Sequence, residues 1–169
     1  NQPNIDPEVA AKQKSKLVEM AMSASTTLEK DEGAITQQAQ FFESLGSNNM
    51  DEDTGTKVLD MVGNLADASQ EVGRITTEAT TALTGTLGSF LMAEYAKSAR
   101  RRLSGGASNS GGANVKKVLK IYGVVDNVMG AVASGKISGE APSQISTSQF
   151  DAMVENASPS SYSNVARTT

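Results

Sequence analysis

Apolar residues recur every three or four positions through most of the chain, and the recurrence stops near residue 134. Spacing of that kind predicts helices that each bury one face. A first helix is expected over residues 6–30. Asp6 can cap it, Pro7 suits the first helical position, and Glu8 suits the positive end of the helix dipole. Its apolar positions are Ala10, Leu17, Met20, Ala21, Ala24 and Leu28. A second, short helix over 34–45 carries Ile35, Ala39, Phe42 and Leu45 on one stripe, and Gly46 predicts a left-handed stop. A third opens near Asp53 and runs to 68–71 behind Val58, Met61, Val62, Leu65 and Ala66, with Gly73 dividing it from the next. The fourth, over 75–102, places Ala79, Leu83, Leu87, Phe90, Leu91 and Tyr95 on one face. Its first half is rich in Thr, a modest helix former, so packing must hold it.

The fifth helix, over 114–133, has the clearest stripe. Val118, Ile121, Tyr122, Val125, Val128, Met129 and Val132 recur at helical spacing, and Val115, Leu119 and Val124 widen the stripe to that of a well-buried helix. Between the fourth and fifth helices lies a Gly/Ser-rich stretch, 104–113, which reads as a flexible tether inside one bundle. After Gly135 the period changes. Pro142 supplies a turn, and two extended pieces follow, about 143–147 and 149–155. Phe150, Ala152 and Val154 alternate with Asp151, Met153 and Glu155 in the pattern of a half-buried strand. A helix over 148–156, capped by Ser148, is the competing reading. The expected fold class is therefore mostly α, a bundle of about five helices with a short C-terminal β segment. The expected organisation is a helical bundle over 1–136 and a turn-and-strand segment over 137–169, leading into a β-subdomain outside this chain.

Composition narrows the chemistry. The chain has 169 residues, 38% apolar, with seven Met and no Trp, so the core should be aliphatic and adaptable. Its 15 basic and 19 acidic residues leave a net charge of −4, which argues against nucleic-acid binding. No apolar run is long enough to cross a bilayer, so no membrane insertion by this segment is expected. There is neither Cys nor His, which removes disulfides, thiol chemistry, the common zinc sites and an imidazole base. The first residues, Asn1-Gln2-Pro3-Asn4, have neither the basic start nor the apolar core of a signal peptide and no initiator Met, as expected of an excised segment.

Few residues are candidates for a site. Arg100, Arg101 and Arg102 close the fourth helix, where cations complement the dipole; beside a flexible loop they also form a basic cluster exposed to cleavage. The carboxylates of Asp31/Glu32 and Asp51/Asp53 stand beside helix starts and read as caps rather than an acid–base pair. The oxygen-rich turn 49–53 resembles a hard-cation loop but lacks the sixth-position Gly and distal Glu of an EF-hand. The four glycines of 105–112 lack the strand and the Gly-Lys-Ser/Thr ending of a phosphate loop. Asn156-Ala157-Ser158 is an acceptor triplet for N-glycosylation, with Asn156 the modified residue. No cofactor and no catalytic residue is expected.

The tail carries a resemblance. Gly139-Glu140-Ala141-Pro142, then Ile145-Ser146-Thr147 and the stretch from Phe150 to Val154, resembles the juncture between the helical and β halves of GAIN-type domains in polycystin-like proteins, which include the sperm receptor for egg jelly. The upstream stretches 34–45 and 56–65 are similar to that family's helical half, so the likeness spans about residues 17–161. The resemblance implies a non-enzymatic extracellular domain at a cell or ciliary surface. Its implied partners are the β-subdomain of the same parent polypeptide and a polycystin-type channel or an extracellular filament protein. Family members cleave themselves at a Cys-framed site, which these residues do not contain. The implied role is structural, carried by packing residues such as Leu59, Val62, Leu83, Leu87, Val125 and Val128, with Phe150 at the subdomain junction. The alternative expectation is a self-assembling helical subunit of a secreted appendage, filament or phage structure.

Overall fold

A computed structural model of the chain describes residues 6–25, 31–46, 50–103, 111–147 and 150–155. Among these the chain forms α1 (Pro7–Ser25), α2 (Glu32–Leu45), α3 (Glu52–Val72), α4 (Thr77–Leu103), α5 (Gly111–Ser134), β1 (Ser143–Ser146) and β2 (Asp151–Val154). The mostly-α bundle with a short β segment is the architecture that the periodicity predicts.

Capping side chains set where the helices begin. Glu8 N donates to Asp6 Oδ1 at 2.9 Å, Ala34 N to Asp31 Oδ1 at 2.7 Å, and Thr54 N to Asp51 Oδ1 at 2.7 Å. At α4 the same service comes from a hydroxyl, with Ala79 N donating to Thr76 Oγ1 at 2.9 Å. Each cap satisfies a first-turn amide that has no partner inside its own helix. The left-handed stop lies at Gly73, with φ 78° and ψ 9°, and not at Gly46. Gly46 has φ 58° with ψ 170°, a combination essentially restricted to Gly, and its amide turns back to Glu43 O. Gly135 ends α5 without a positive φ. It lies close against the approach to α4, where a Cβ would meet Arg74 Cα at 3.4 Å, an ordinary contact.

Four helices close into a ring. α4 packs between α2 and α5, α3 packs between α5 and α2, and α1 lies against α3. The core inside the ring is aliphatic, as the composition predicts. Leu59, Val62, Leu83, Leu87, Ile121 and Val128 are fully buried, Val125 is buried, and Phe42 is the largest closed-off side chain. Phe150, after β1, packs on this core from outside. The Thr-rich half of α4 is buried without stranding its hydroxyls. Thr80, Thr84 and Thr86 donate to the carbonyls of Thr76, Thr80 and Ala82 at 2.9, 2.8 and 2.9 Å. Two glycines admit polar side chains from a facing helix. A Cβ on Gly85 of α4 would lie 2.9 Å from Glu43 Oε1 of α2, and one on Gly130 of α5 would lie 2.8 Å from Gln70 Nε2 of α3.

Two helical faces differ from expectation. On α1, Leu17 and Met20 are exposed while Val18 is fully buried, and Ala21 packs on the core. The stripe is rotated because α1 has one principal neighbour. Lys14 then falls on the inner side, where its Nζ donates to Leu45 O and burial holds its pKa below the ordinary value. On α5 the wide stripe is not wholly covered. Ile121, Val124, Val125, Val128 and Ala131 are buried, but Val115, Leu119 and Tyr122 are exposed, as is Tyr95 on α4. Both neighbours of α5 in the ring lie on one side of it, so its opposite side stays open.

After α5 the chain forms an antiparallel hairpin in the register Ser143↔Val154, Gln144↔Met153, Ile145↔Ala152 and Ser146↔Asp151. This overturns the competing helical reading at 151–154. The alternation holds: Val154 is buried, Ala152 half-buried, and Asp151 and Met153 exposed. Phe150 and Thr147 close the turn, Thr147 N donating to Phe150 O at 2.9 Å and Phe150 N to Thr147 Oγ1 at 3.0 Å. Among the described residues no helix is long and apolar enough to cross a membrane. Of the expected tether 104–113, residues 111–113 belong to α5, and 104–110 lie outside the described residues.

Candidate functional site

Among the described residues, three places bring polar groups or exposed apolar side chains of different elements together, and the first is the cleft under the hairpin. Its approach is set by the turn from Ile137 to Glu140. Gly139 there has φ 84°, Glu140 N donates to Ile137 O at 3.1 Å, and the Glu140 carboxylate accepts from Ile137 N at 3.1 Å. Lys136 is buried against this turn and donates from Nζ to Ala141 O at 2.7 Å, with Glu140 at 3.6 Å. The turn brings β1 across the outer side of α4. Between them lies a cleft of about 500 Å³, walled by Thr77, Thr80, Thr81 and Thr84 of α4, by Val132 and Lys136, and by all of β1. A second cleft of about 300 Å³ continues past Gly85, Gly88, Ser89 and Met92 to Ser146 and Thr147.

The chemistry of this cleft is hydrogen bonding. Its two cations are already matched, Lys136 by Glu140 and Arg74 by Glu32 at 2.6 Å. Hydroxyls and backbone groups remain. The sheet has only two strands, so among the described residues each strand has one edge without a partner strand. An unpaired edge is a template for a further strand.

The second place is a buried ion cluster joining α4 to α5. The Glu94 carboxylate is almost fully buried and lies 3.1 Å from Lys97 Nζ and 3.2 Å from Lys117 Nζ. Burial alone pushes this carboxyl up. The hydrogen bonds and charges of the two lysines outweigh it and hold the group below its ordinary value. A small cleft of about 240 Å³ beside the cluster is lined by Phe90, Arg100 and the first turn of α3. A Cβ on Gly55 there would lie 3.2 Å from the Phe90 ring and 3.7 Å from Lys117 Nζ. The cluster thus ties α4 to α5 beside the first turn of α3.

The third is the open side of α5, where Val115, Leu119 and Tyr122 stand exposed. Tyr95 of α4 stands beside Tyr122, and its phenol holds that of Tyr122 above its ordinary pKa.

The residues singled out from sequence fall as follows. Arg100 is exposed on the last turns of α4 and lines the cleft beside Glu94. Arg101 and Arg102 continue that helix. Asn156 lies outside the described residues. Asp31 and Asp51 are helix caps, and Asp51 also accepts from Thr54 Oγ1 at 3.0 Å. The Thr54 amide holds its carboxyl below the usual range, against a smaller burial effect. Asp53 pairs with Lys57 at 2.8 Å. The oxygens of 51–53 therefore serve α3 and not a common centre. Among the described residues no three carboxylates gather as a metal site would require. Periodicity could not find the Glu94 cluster or Lys136, because charges on a helix are ordinarily read as a solvated face. The signal available was their placement in register with buried neighbours: Glu94 one turn after Phe90 and Leu91, and Lys136 two residues past the end of α5. Comparison with known proteins adds no relative, since no family model, no curated protein and no solved structure matches the chain.

Proposed function

We propose that the chain is a non-enzymatic structural module whose helical ring supports a larger β layer. The observation that carries this reading is the hairpin laid over α4 and α5 with an unpaired edge on each strand, beside a hydroxyl-lined cleft. A two-stranded hairpin is marginal by itself. Here Val154 and Phe150 anchor it on the bundle while its edges await strands. That is the arrangement expected if a β-subdomain of the same parent polypeptide completes the sheet, as the resemblance to GAIN-type domains of polycystin-like membrane proteins implies. In that setting the module stands on the extracellular side of a plasma or ciliary membrane. It bears load between a polycystin-type channel and an extracellular filament protein.

Amide hydrogen exchange in this chain and in its parent polypeptide tests the proposal. The edge amides of β1 and β2 should exchange quickly in the isolated chain. In the parent they should be slowed by about two orders of magnitude or more, a stabilisation of about 3 kcal/mol. Equal rates in the two would refute the reading. Slowing that depends on the concentration of the isolated chain would instead support the assembly-subunit alternative, with strands paired between copies.

A further inference from the structure

We infer that the cleft between α4 and β1 is the seat of the next strand of the β layer, which pairs with β1 through the outward backbone groups of Gln144 and Ser146; this rests on the reading of the chain as a support for that layer. Thr147 N donates to Phe150 O across the turn, so these two residues form a hydrogen-bonded pair. In an antiparallel ladder such pairs alternate with pairs that exchange no bonds. The register then makes Ile145↔Ala152 and Ser143↔Val154 the bonded pairs. Gln144 and Ser146 turn their amides and carbonyls away from β2, and these groups have no partner among the described residues. Pro142, at the next outward position, has no amide and ends the edge.

The cleft lies along this edge. All of β1 lines it, and not every second residue, so it opens along the backbone rather than under one face of the hairpin. No residue of β2 lines it. Charge separates the two edges as well. The stretch 143–147 carries no charged side chain, whereas Asp151 holds an outward position on β2 and Glu155 follows that strand. Charges on an edge oppose pairing. The cleft and its continuation follow α4 from Thr77 to Met92, about 22 Å at about 1.5 Å per residue, which is room for about six extended residues at ~3.3 Å each.

The α4 wall selects the side chains of the occupant. Thr80, Thr81 and Thr84 donate their hydroxyl protons to the carbonyls of Thr76, Thr77 and Thr80 at 2.9, 2.8 and 2.8 Å. Their oxygens therefore offer the cleft lone pairs alone. The cations on its rim, Arg74 and Lys136, are matched by Glu32 and Glu140, and Glu43 adds a further acceptor in the continuation. A wall of acceptors takes donors and repels carboxylates. The occupant is thus an extended segment of the parent polypeptide without Asp or Glu, whose α4-facing side chains are Ser, Thr, Asn or Gln.

Amide exchange resolved by residue, in the isolated chain and in the parent polypeptide, tests the assignment. Gln144 and Ser146 should exchange quickly in the isolated chain at every concentration, and about a hundredfold more slowly in the parent. Ser146→Pro removes an outward donor, and Thr81→Arg fills the cleft from an exposed site on α4; each should cut the slowing at Gln144 to under about tenfold. Met153→Pro, which removes an outward donor from β2, should leave that slowing within about threefold of its original value. Both prolines spare the ladder, because the amides they replace point away from the partner strand. Slowing confined to Asp151 and Met153 overturns the inference and leaves the supporting role of the module standing, whereas no slowing on either edge overturns both. The inference also falls if Gln144 and Ser146 are already protected in the isolated chain, if their protection rises with its concentration, or if the slowing survives Thr81→Arg. In those cases the edge is filled by the chain itself, by a second copy, or by a strand that lies outside the cleft.

Discussion

Replacing Glu94 with Gln keeps the volume of the side chain and removes its charge. Lys117, only 12% exposed at its side chain, is then left facing a neutral amide in place of a carboxylate at 3.2 Å. Breaking a buried ion pair from one side costs about 3–5 kcal/mol when the stranded charge has no escape. Lys97, with 49% of its side chain exposed, can turn to water, and Gln can still accept one hydrogen bond. Those two reliefs bring the expected loss to about 2 kcal/mol, of a total stability on the order of 5–15 kcal/mol. For a chain of this size the loss lowers Tm by about 4–8 °C. Thermal unfolding followed by circular dichroism at neutral pH reads it directly. The pH dependence gives a second check. The folded carboxyl titrates below the ordinary glutamate value of 4.5, so the unfolded chain takes up its proton first as pH falls. The contribution is therefore fully present above about 4.5 and is lost as pH drops through the folded value. Glu94→Gln should lack that portion of the acid slope. In Glu94→Gln with Lys117→Met, the apolar Met should recover at least half of the lost stability. If the single variant melts with the wild type and keeps the same acid slope, the cluster contributes nothing and the account is wrong.

The two positive-φ helix stops should respond differently to a methyl group. Gly73→Ala, at an ordinary left-handed position, should cost about 1 kcal/mol by urea unfolding, while Gly46→Ala, at φ 58° and ψ 170°, should cost about 2–3 kcal/mol. Equal costs would mean that the backbone at Gly46 relaxes. Leu83→Ala, at a fully buried site inside the ring, should cost about 3–5 kcal/mol with the urea m-value unchanged. A loss under about 1 kcal/mol would place Leu83 outside the core.

The helices and the hairpin were legible because each rests on local chemistry. Asp6 and Asp31 precede their helices in capping position, and the alternation from Phe150 to Val154 separates strand from helix. Which face of a helix turns inward was less legible, because it depends on how many neighbours arrive. α1 carries apolar residues nearly all round, and its single main neighbour selects Val18 over Leu17 and Met20. α5 has a stripe wide enough for three neighbours and meets two ring helices, with the hairpin near its C-terminal end, where Val132 and β1 share a cleft. Val115, Leu119 and Tyr122 are the remainder. The candidate sites were the least legible. The buried Glu94 and Lys136 depend on partners brought by other elements, and no period in the sequence encodes that.

Gly85 and Gly130 have a consequence for how the helices settle lengthwise. An aliphatic interface is nearly indifferent to sliding by one turn, about 5.4 Å, because one Leu or Val ridge fits much like the next. Each of these glycines leaves a gap of one side chain, and each gap holds one polar group, Glu43 over Gly85 and Gln70 over Gly130. Gln70 also donates to Asn127 O at 3.0 Å, and Asn127 Nδ2 donates to Asp67 at 2.9 Å. A slip of one turn would move Glu43 over Thr81 in one direction and over Gly88 and Ser89 in the other, and would part the Gln70 amide from the Asn127 carbonyl. Both side chains are exposed, so the two notches add little to overall stability; they bias an oily, methionine-rich bundle toward one axial setting.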